Sequence, residues 1–151
     1  MSSKIGKLLL QRKNNYKKFI LHDIKDEDLF LNTVAQNLKN GVEVVEFCGN
    51  NLSSFEFFSV AKKLRDLSGV FNAILIIKDR IDIAKLINAD GVIIDNNSIP
   101  IKYTQQLIEN GLLLGYNAED NKSAQEAEEQ GVDFLVSNMA LDTKIKCFAD
   151  N

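Results

Sequence analysis

The sequence predicts a parallel α/β protein, and three observations carry that prediction. The first is the stretch from Ala73 to Asn97, where two short apolar runs, Ala73 to Ile77 and Gly91 to Ile94, flank one amphipathic turn with Ile81, Ala84, Leu86 and Ile87 as its apolar members. Short apolar runs bounded by polar residues are strands covered on both faces, and two of them joined by a helix form a βαβ unit. The second is the alternation of strand-like and helix-like segments, six times along the chain, which is the rhythm of a parallel sheet with right-handed crossovers. The third is the placement of Gly41, Gly111 and Gly131, each after a helical segment and before a strand, where a helix C-terminus favours glycine.

The elements follow in order. Residues 1 to 18 carry Lys4, Lys7, Arg12, Lys13, Lys17 and Lys18 with no acid, and Ile5, Leu8 and Leu9 give them an apolar side, so they read as a basic N-terminal helix docked on the body. Phe19 to Ile24 reads as the first strand, with His22 and Asp23 at its mouth. Asp26 is placed to cap a helix over Glu27 to Asn40, with Leu31, Val34, Ala35 and Leu38 at helical spacing. Val42 to Phe47 is the second strand, running into Cys48, Gly49, Asn50 and Asn51. Ser53 or Ser54 opens a helix that carries Phe57, Phe58, Ala61, Leu64 and Leu67 and that Gly69 breaks. After the βαβ unit, Ser98 to Pro100 opens a helix with Leu107 and Ile108, and Leu112 to Leu114 is the fifth strand. An Ala- and Glu-rich helix from about Lys122 to Gln130 leads to the sixth strand, Asp133 to Val136, while Met139 to Asn151 shows no further unit. The domain reading is the basic helix over 1–18 and one domain over 19–151.

The 151 residues, 45% hydrophobic and 26% charged, are an ordinary globular composition with room for one core. No apolar run approaches the ~20 residues that span a bilayer, and no signal-peptide pattern is present, so a cytoplasmic location without membrane contact is expected. The net charge of −3 divides into +6 over residues 1 to 18 and −9 over the rest, where 12 basic residues face 21 acidic ones. That acidic remainder lacks interleaved basic and aromatic residues, so a nucleic-acid partner is not expected. Cys48 and Cys147 fit no metal spacing and are expected as reduced thiols.

Ligands of parallel sheets meet the carboxyl ends of the strands, which is where the candidate residues lie. Asp79 and Asp95 follow the third and fourth strands and are candidate metal ligands; the other reading of Asp79 is a carboxylate paired with Lys78, Arg80 or a neighbouring loop. Lys78 either binds phosphate as a point charge or neutralises Asp79. His22, the single histidine, has no visible partner and reads as a loop residue rather than a general base. Cys48 has no histidine placed to activate it and reads as packing. Asn50, Asn51, Asn96, Asn97, Asn117 and Asn138 would give the strand ends a polar mouth for a neutral small molecule, although Asn is equally a loop former.

Pattern alone is satisfied by an open doubly wound sheet or by an incomplete (β/α)₈ barrel. The phrases Asn-Gly-Val-Glu-Val-Val-Glu at 40–46, Ala-Asp-Gly-Val-Ile-Ile at 89–94 and Gly-Val-Asp-Phe-Leu-Val at 131–136 resemble the barrel of the thiamine-phosphate synthase and thiazole tautomerase (TenI-like) family. That family has, in outline, G-V-x-x-V-Q-L-R-x-K, A-D-G-V-H-L-G-Q-x-D and G-A-D-Y-I. The link Ile77 to Ala84 is similar to its I-N-D-R-x-D-x-A, and Asp142-Thr143-Lys144 to the end of its T-x-T-K loop. The resemblance spans residues 19 to 146 and implies an incomplete TIM barrel of about six strands. It also implies an activity that joins a pyrimidine pyrophosphate to a thiazole phosphate with Mg²⁺.

The resemblance further implies a site. Asp79 stands at the position of a metal-binding Asp, and Asp95 lies three residues before the second such position, which is Ser98. Thr143, Lys144 and Asn117 stand at or beside phosphate-binding positions, with Lys78 as a further cation. Glu46 and Asn50, at the family's Gln and Lys positions, and Asn96 and His22, placed by their strand ends alone, complete the pocket set. The departures are as telling: Glu46, Cys48 and Asn50 replace Gln, Arg and Lys, Lys78 replaces Asn, Ile93 replaces His, Asn117 replaces Ser, Glu119 replaces the tautomerase His, and Leu141 replaces the first Thr. An anionic substrate needs cations or backbone donors, and two cations have become neutral. The expectation is therefore a catalytically degenerate barrel that binds a small phosphorylated or neutral polar ligand or acts in assembly. The alternative is an active synthase-like transferase. A chain ending after six strands would leave the first and sixth as edges, to be covered by a homo-oligomer or another partner.

Overall fold

The computed structural model describes residues 15–108, 111–137 and 144–147, the last four by their backbone. Its strands are β1 (Tyr16–Leu21), β2 (Val44–Gly49), β3 (Ile74–Lys78), β4 (Gly91–Ile94), β5 (Leu113–Ala118), β6 (Phe134–Ser137) and β7 (Lys144–Cys147). They form one sheet in the order of the chain, parallel from β1 to β6, with β7 antiparallel to β6. The crossovers carry α1 (Glu27–Lys39), α2 (Ser54–Val70), α3 (Ile81–Leu86), α4 (Ile101–Leu107) and α5 (Asn121–Glu129). This order decides between the two architectures. A doubly wound sheet reverses its strand order to place helices on both faces. An unreversed order with crossovers of one hand puts every helix on one side and curls the six parallel strands into half a barrel.

Two apolar layers follow from strand alternation. Phe19, Val45, Phe47, Leu75, Ile77 and Ile94 face outward and pack with the helices, while Val44, Ile74, Ile76, Ile93, Leu113 and Phe134 fill the concave side. In the outer layer an aromatic chain runs from Phe19 to Phe30 (6.4 Å between centroids), Phe47 (5.6 Å) and Phe57 (4.7 Å). On the concave side the Phe134 ring covers its cross-strand neighbour Gly115, where a Cβ would come within 2.2 Å of the ring.

The acidic residues of the phrases that precede strands stitch the sheet together. Asp90 Oδ2 accepts the Leu75 N–H (2.8 Å) and an Arg65 guanidinium N–H (3.1 Å). Asp133 Oδ2 accepts the Leu114 N–H at 2.9 Å. Each therefore pins the start of the preceding strand.

Several sequence boundaries shift. The first strand starts at Tyr16, so Lys17 and Lys18 are strand residues rather than the end of a helix; residues 1–14 of that expected helix lie outside the described residues. Tyr16 is drawn into the sheet because its hydroxyl donates to the buried Glu46 at 2.6 Å. Asp23, not Asp26, makes the capping bond, accepting the Lys25 N–H at 2.9 Å. Gly69 does not break α2, which runs to Val70 and turns at Asn72 with φ 54°. β5 extends to Ala118, placing Gly115, Tyr116 and Asn117 within a strand. The largest correction is β7, where no further unit was expected. Four residues are too few to show a period, yet they cover β6, which is therefore not an edge. Among the described residues no helix is long and apolar enough to cross a membrane.

Candidate functional site

The candidate site lies at the C-terminal ends of β1 to β4. Alternation would send Lys78 and Asp79 to opposite faces, but the backbone turns sharply between them. Asp79 has φ 66°, and across it the Arg80 N–H donates to the Lys78 carbonyl at 2.8 Å, closing a γ-turn. A positive φ in such a turn is strained for a residue with a side chain, and Asp is among the types that tolerate it. The turn returns the Asp79 carboxylate to Lys78, whose Nζ lies 2.7 Å from Asp79 Oδ2 and 3.1 Å from Asp95 Oδ2. The Asp79 N–H donates to the Ile93 carbonyl at 3.0 Å, tying the turn to β4.

The loop after β4 supplies the remaining donors. Asp95 Oδ1 accepts the Asn97 N–H at 2.9 Å and lies 3.2 Å from Ser98 Oγ, which also bonds Asp79 Oδ1. Partial burial works against the Asp95 charge, but the Asn97 N–H, Lys78 and Ser98 together hold its carboxyl below the ordinary carboxylate value. Burial likewise opposes the Lys78 charge and is outweighed by Asp79 and Asp95, which raise the ammonium above its ordinary value. Lys78 is the charge that holds the two carboxylates together.

Around this cluster is a cavity of ≈ 310 Å³, walled by Lys18 and Ile20 from β1, Cys48 and Asn50 at the end of β2, and Lys78 and Asp95. Arg80 and Phe57 also line it, and they brace each other, the guanidinium sitting 5.6 Å from the ring. Arg80 is fixed besides by two bonds to Asp82, at 3.1 and 2.9 Å, which hold the Asp82 carboxyl below its ordinary value. A smaller polar groove of ≈ 220 Å³ adjoins at Asp95 and runs past Asn96, Asn97 and Asn117 to Glu119. A larger hollow of ≈ 370 Å³ lies beside Asn88, Asp90 and Gly111, at the end of the strands opposite to the one that ligands use in this architecture.

The structure thus brings Lys78, Asp79, Asp95 and Asn50 together, with Asn96 and Asn117 in the adjoining groove. Asp79 has the pairing partner that was one of its two readings, Lys78, while Arg80 turns to Asp82. Glu46 is buried beneath the cavity, accepting from Tyr16 at 2.6 Å and Cys48 Sγ at 3.3 Å. Burial and the Glu46 carboxylate push the Cys48 thiol far up, in keeping with a packing role. His22 sits on the exposed rim, its Nδ1 3.5 Å from Asn50 Nδ2. Lys144 opens β7 opposite Ser137, and Thr143 lies outside the described residues. Sequence reasoning missed Lys18, Arg80, Phe57 and the Ser98 bridge. Starting the first strand at Tyr16 would have put Lys18 on the concave side with Ile20.

The donor set can be tested for a divalent ion. All four carboxylate oxygens of Asp79 and Asp95 already accept from the chain's own donors, and Lys78 stands between them. Among the described residues no three His, Cys, Asp or Glu side chains are grouped to hold a metal. The arrangement does not fit Mg²⁺, which binds through free carboxylate oxygens together with substrate phosphates.

Comparison with known proteins agrees with this architecture. A sequence model of the thiamine monophosphate synthase family (TMP-TENI) matches residues 18–150. Thiamine-phosphate synthase of Methanobrevibacter smithii is 32% identical over 127 residues, covering 84% of this chain and 61% of that protein. The protein of the same name from Clostridium acetobutylicum is 32% identical over 135 residues, covering 87% and 64%. A thiamine phosphate pyrophosphorylase from Pyrococcus furiosus superposes with a TM-score of 0.71 at 26% identity, over 82% of this chain and 60% of that one. The chain thus spans about three fifths of the length of these relatives. Sequence, strand order and superposition agree, and the chain belongs to the thiamine monophosphate synthase family.

Proposed function

We infer that the chain supplies the cation-lined strand-end cavity of a thiamine-phosphate synthase, the activity its relatives are named for. Such an enzyme joins a pyrimidine pyrophosphate to a thiazole phosphate and releases inorganic pyrophosphate. The observation that carries this reading is the meeting of Lys18, Lys78 and Arg80 in one cavity at the strand ends. As the bond to the leaving pyrophosphate breaks, negative charge gathers on its oxygens, and fixed cations stabilise it more than they stabilise the substrate. The amides of Asn96 and Asn117 in the adjoining groove suit the polar edge of the second substrate. The test is to follow pyrophosphate release from both substrates. Lys78→Ala should lower turnover about 10²-fold, the scale for removing one such stabilising group. A folded protein that releases no pyrophosphate sinks the reading.

A second reading, a barrel that binds but does not turn over, has its own observation. Glu46 is sealed under Tyr16 and Cys48, and Asn50 lines the cavity where the family resemblance places a lysine. On that reading a phosphorylated ligand binds and no pyrophosphate appears.

A further inference from the structure

Two carboxylates that converge at a strand end ordinarily call for a cation, and here the chain brings its own. Lys78 and Asp79 are neighbours that a strand would point apart, and the positive φ of Asp79 is what turns its carboxylate back to Lys78. Asp95 reaches the same ammonium from the next strand at 3.1 Å. We propose that the Lys78 ammonium is the resident cation of this pair: it takes the place of a divalent ion between Asp79 and Asp95, so that the pair recruits no metal of its own.

The geometry supports this in three ways. The carboxylate oxygens nearest each other in function, Asp79 Oδ2 and Asp95 Oδ2, both receive Lys78, while Ser98 and Asn97 occupy the outer oxygens. A magnesium ion bonds oxygens at about 2.0–2.1 Å and would have to enter between them and the lysine, against a like charge. The ammonium also lines the cavity, and of its three protons two go to the carboxylates, which leaves one to meet a phosphate oxygen directly. The proposal deepens the synthase reading of this cavity by naming the charge that meets the ligand, and the probe is chosen to be independent of it.

That probe is Mn²⁺ alone, its free concentration followed by electron paramagnetic resonance. The wild-type chain should leave Mn²⁺ free at concentrations where Lys78→Asn binds it about tenfold or more tightly, the scale on which neighbouring groups tune a metal site. Lys78→Met, which keeps the apolar stem, should gain affinity in the same direction, and adding Asp79→Asn to either should abolish the gain. Thermal melts establish that each variant is folded. Wild-type affinity equal to that of both variants, or no gain in a folded variant, overturns the proposal. Failure of the turnover assay would remove the synthase reading and leave the Mn²⁺ contrast standing.

Discussion

The same barrel carries carboxylates at both ends of its strands, and it uses the two sets in opposite ways. At the N-terminal ends, Asp90 and Asp133 accept backbone N–H groups of the neighbouring strand, and Asp90 adds Arg65. Their partners are sheet backbone and, for Asp90, one arginine of the helix that packs on it. At the C-terminal ends, Asp79 and Asp95 are held by Lys78 and by the Ser98 and Asn97 donors of one loop. One of the two sits on strained backbone, with φ 66°. Acids bonded to sheet backbone serve stability, whereas acids held by a lysine and a loop beside a cavity stand, on the proposed function, where a ligand would be met.

The contrast can be broken from either side. The largest expected effect on stability is from Asp90→Ala, which orphans the Leu75 N–H and removes the ion pair of Arg65, leaving that guanidinium only the Asn88 and Ala73 carbonyls. Urea unfolding should show a loss of about 2–3 kcal/mol, with ligand affinity unchanged in the protein that remains folded. Asp133→Asn should cost less, near 1 kcal/mol or below, because the amide oxygen can still accept the Leu114 N–H. Burial raises the Asp133 carboxyl above its ordinary value of 3.8 despite that bond. The native state therefore holds this proton more tightly than the unfolded chain. The stability it contributes is complete below 3.8 and is lost as pH rises through the raised value, so the variant should lack that decline.

Asp95→Asn should have the smallest effect on stability, about 0.5–1 kcal/mol at neutral pH, as for other partly exposed ion pairs. Its pH dependence has the opposite sign. The Asp95 carboxyl is lowered, so its contribution is complete above 3.8 and is lost as pH falls through the lower folded-state value. The variant should flatten the acid arm of the stability profile. Pyrophosphate affinity should rise, since one carboxylate no longer competes for Lys78.

Much of this fold is legible in the residues, because buried strands and capped helices write their own periods. Gly41, Gly111 and Gly131 all adopt the positive φ that their places between helix and strand call for. Strand order is not written in any period; it came from family phrases whose acids, Asp90 and Asp133, proved to be stitches between strands. What misled the reading was charge. Lys17 and Lys18 looked like the end of a basic helix, yet Tyr16 and Phe19 on either side bury in the sheet. β7 was too short to announce itself. The site was half legible: Asp79, Lys78 and Asp95 could be placed at strand ends, but their convergence depends on the γ-turn at Asp79, and local sequence does not specify that. Glu46 and Cys48 share a face of one strand, but the buried bond from Tyr16 to Glu46 was out of reach for the same reason, since it forms only once β1 and β2 pair.

On the proposed function, the C-terminal ends of β1 to β4 form an anion site built on Lys78. Calorimetric titration of inorganic pyrophosphate, in the presence of EDTA, tests it most directly. The wild-type chain should bind saturably at millimolar ligand or below, and Lys78→Ala should bind about tenfold more weakly or worse, as the loss of one charge-assisted bond implies. A wild-type chain that takes up no pyrophosphate, or a Lys78→Ala chain that binds it equally well, would rule out an anion site on Lys78.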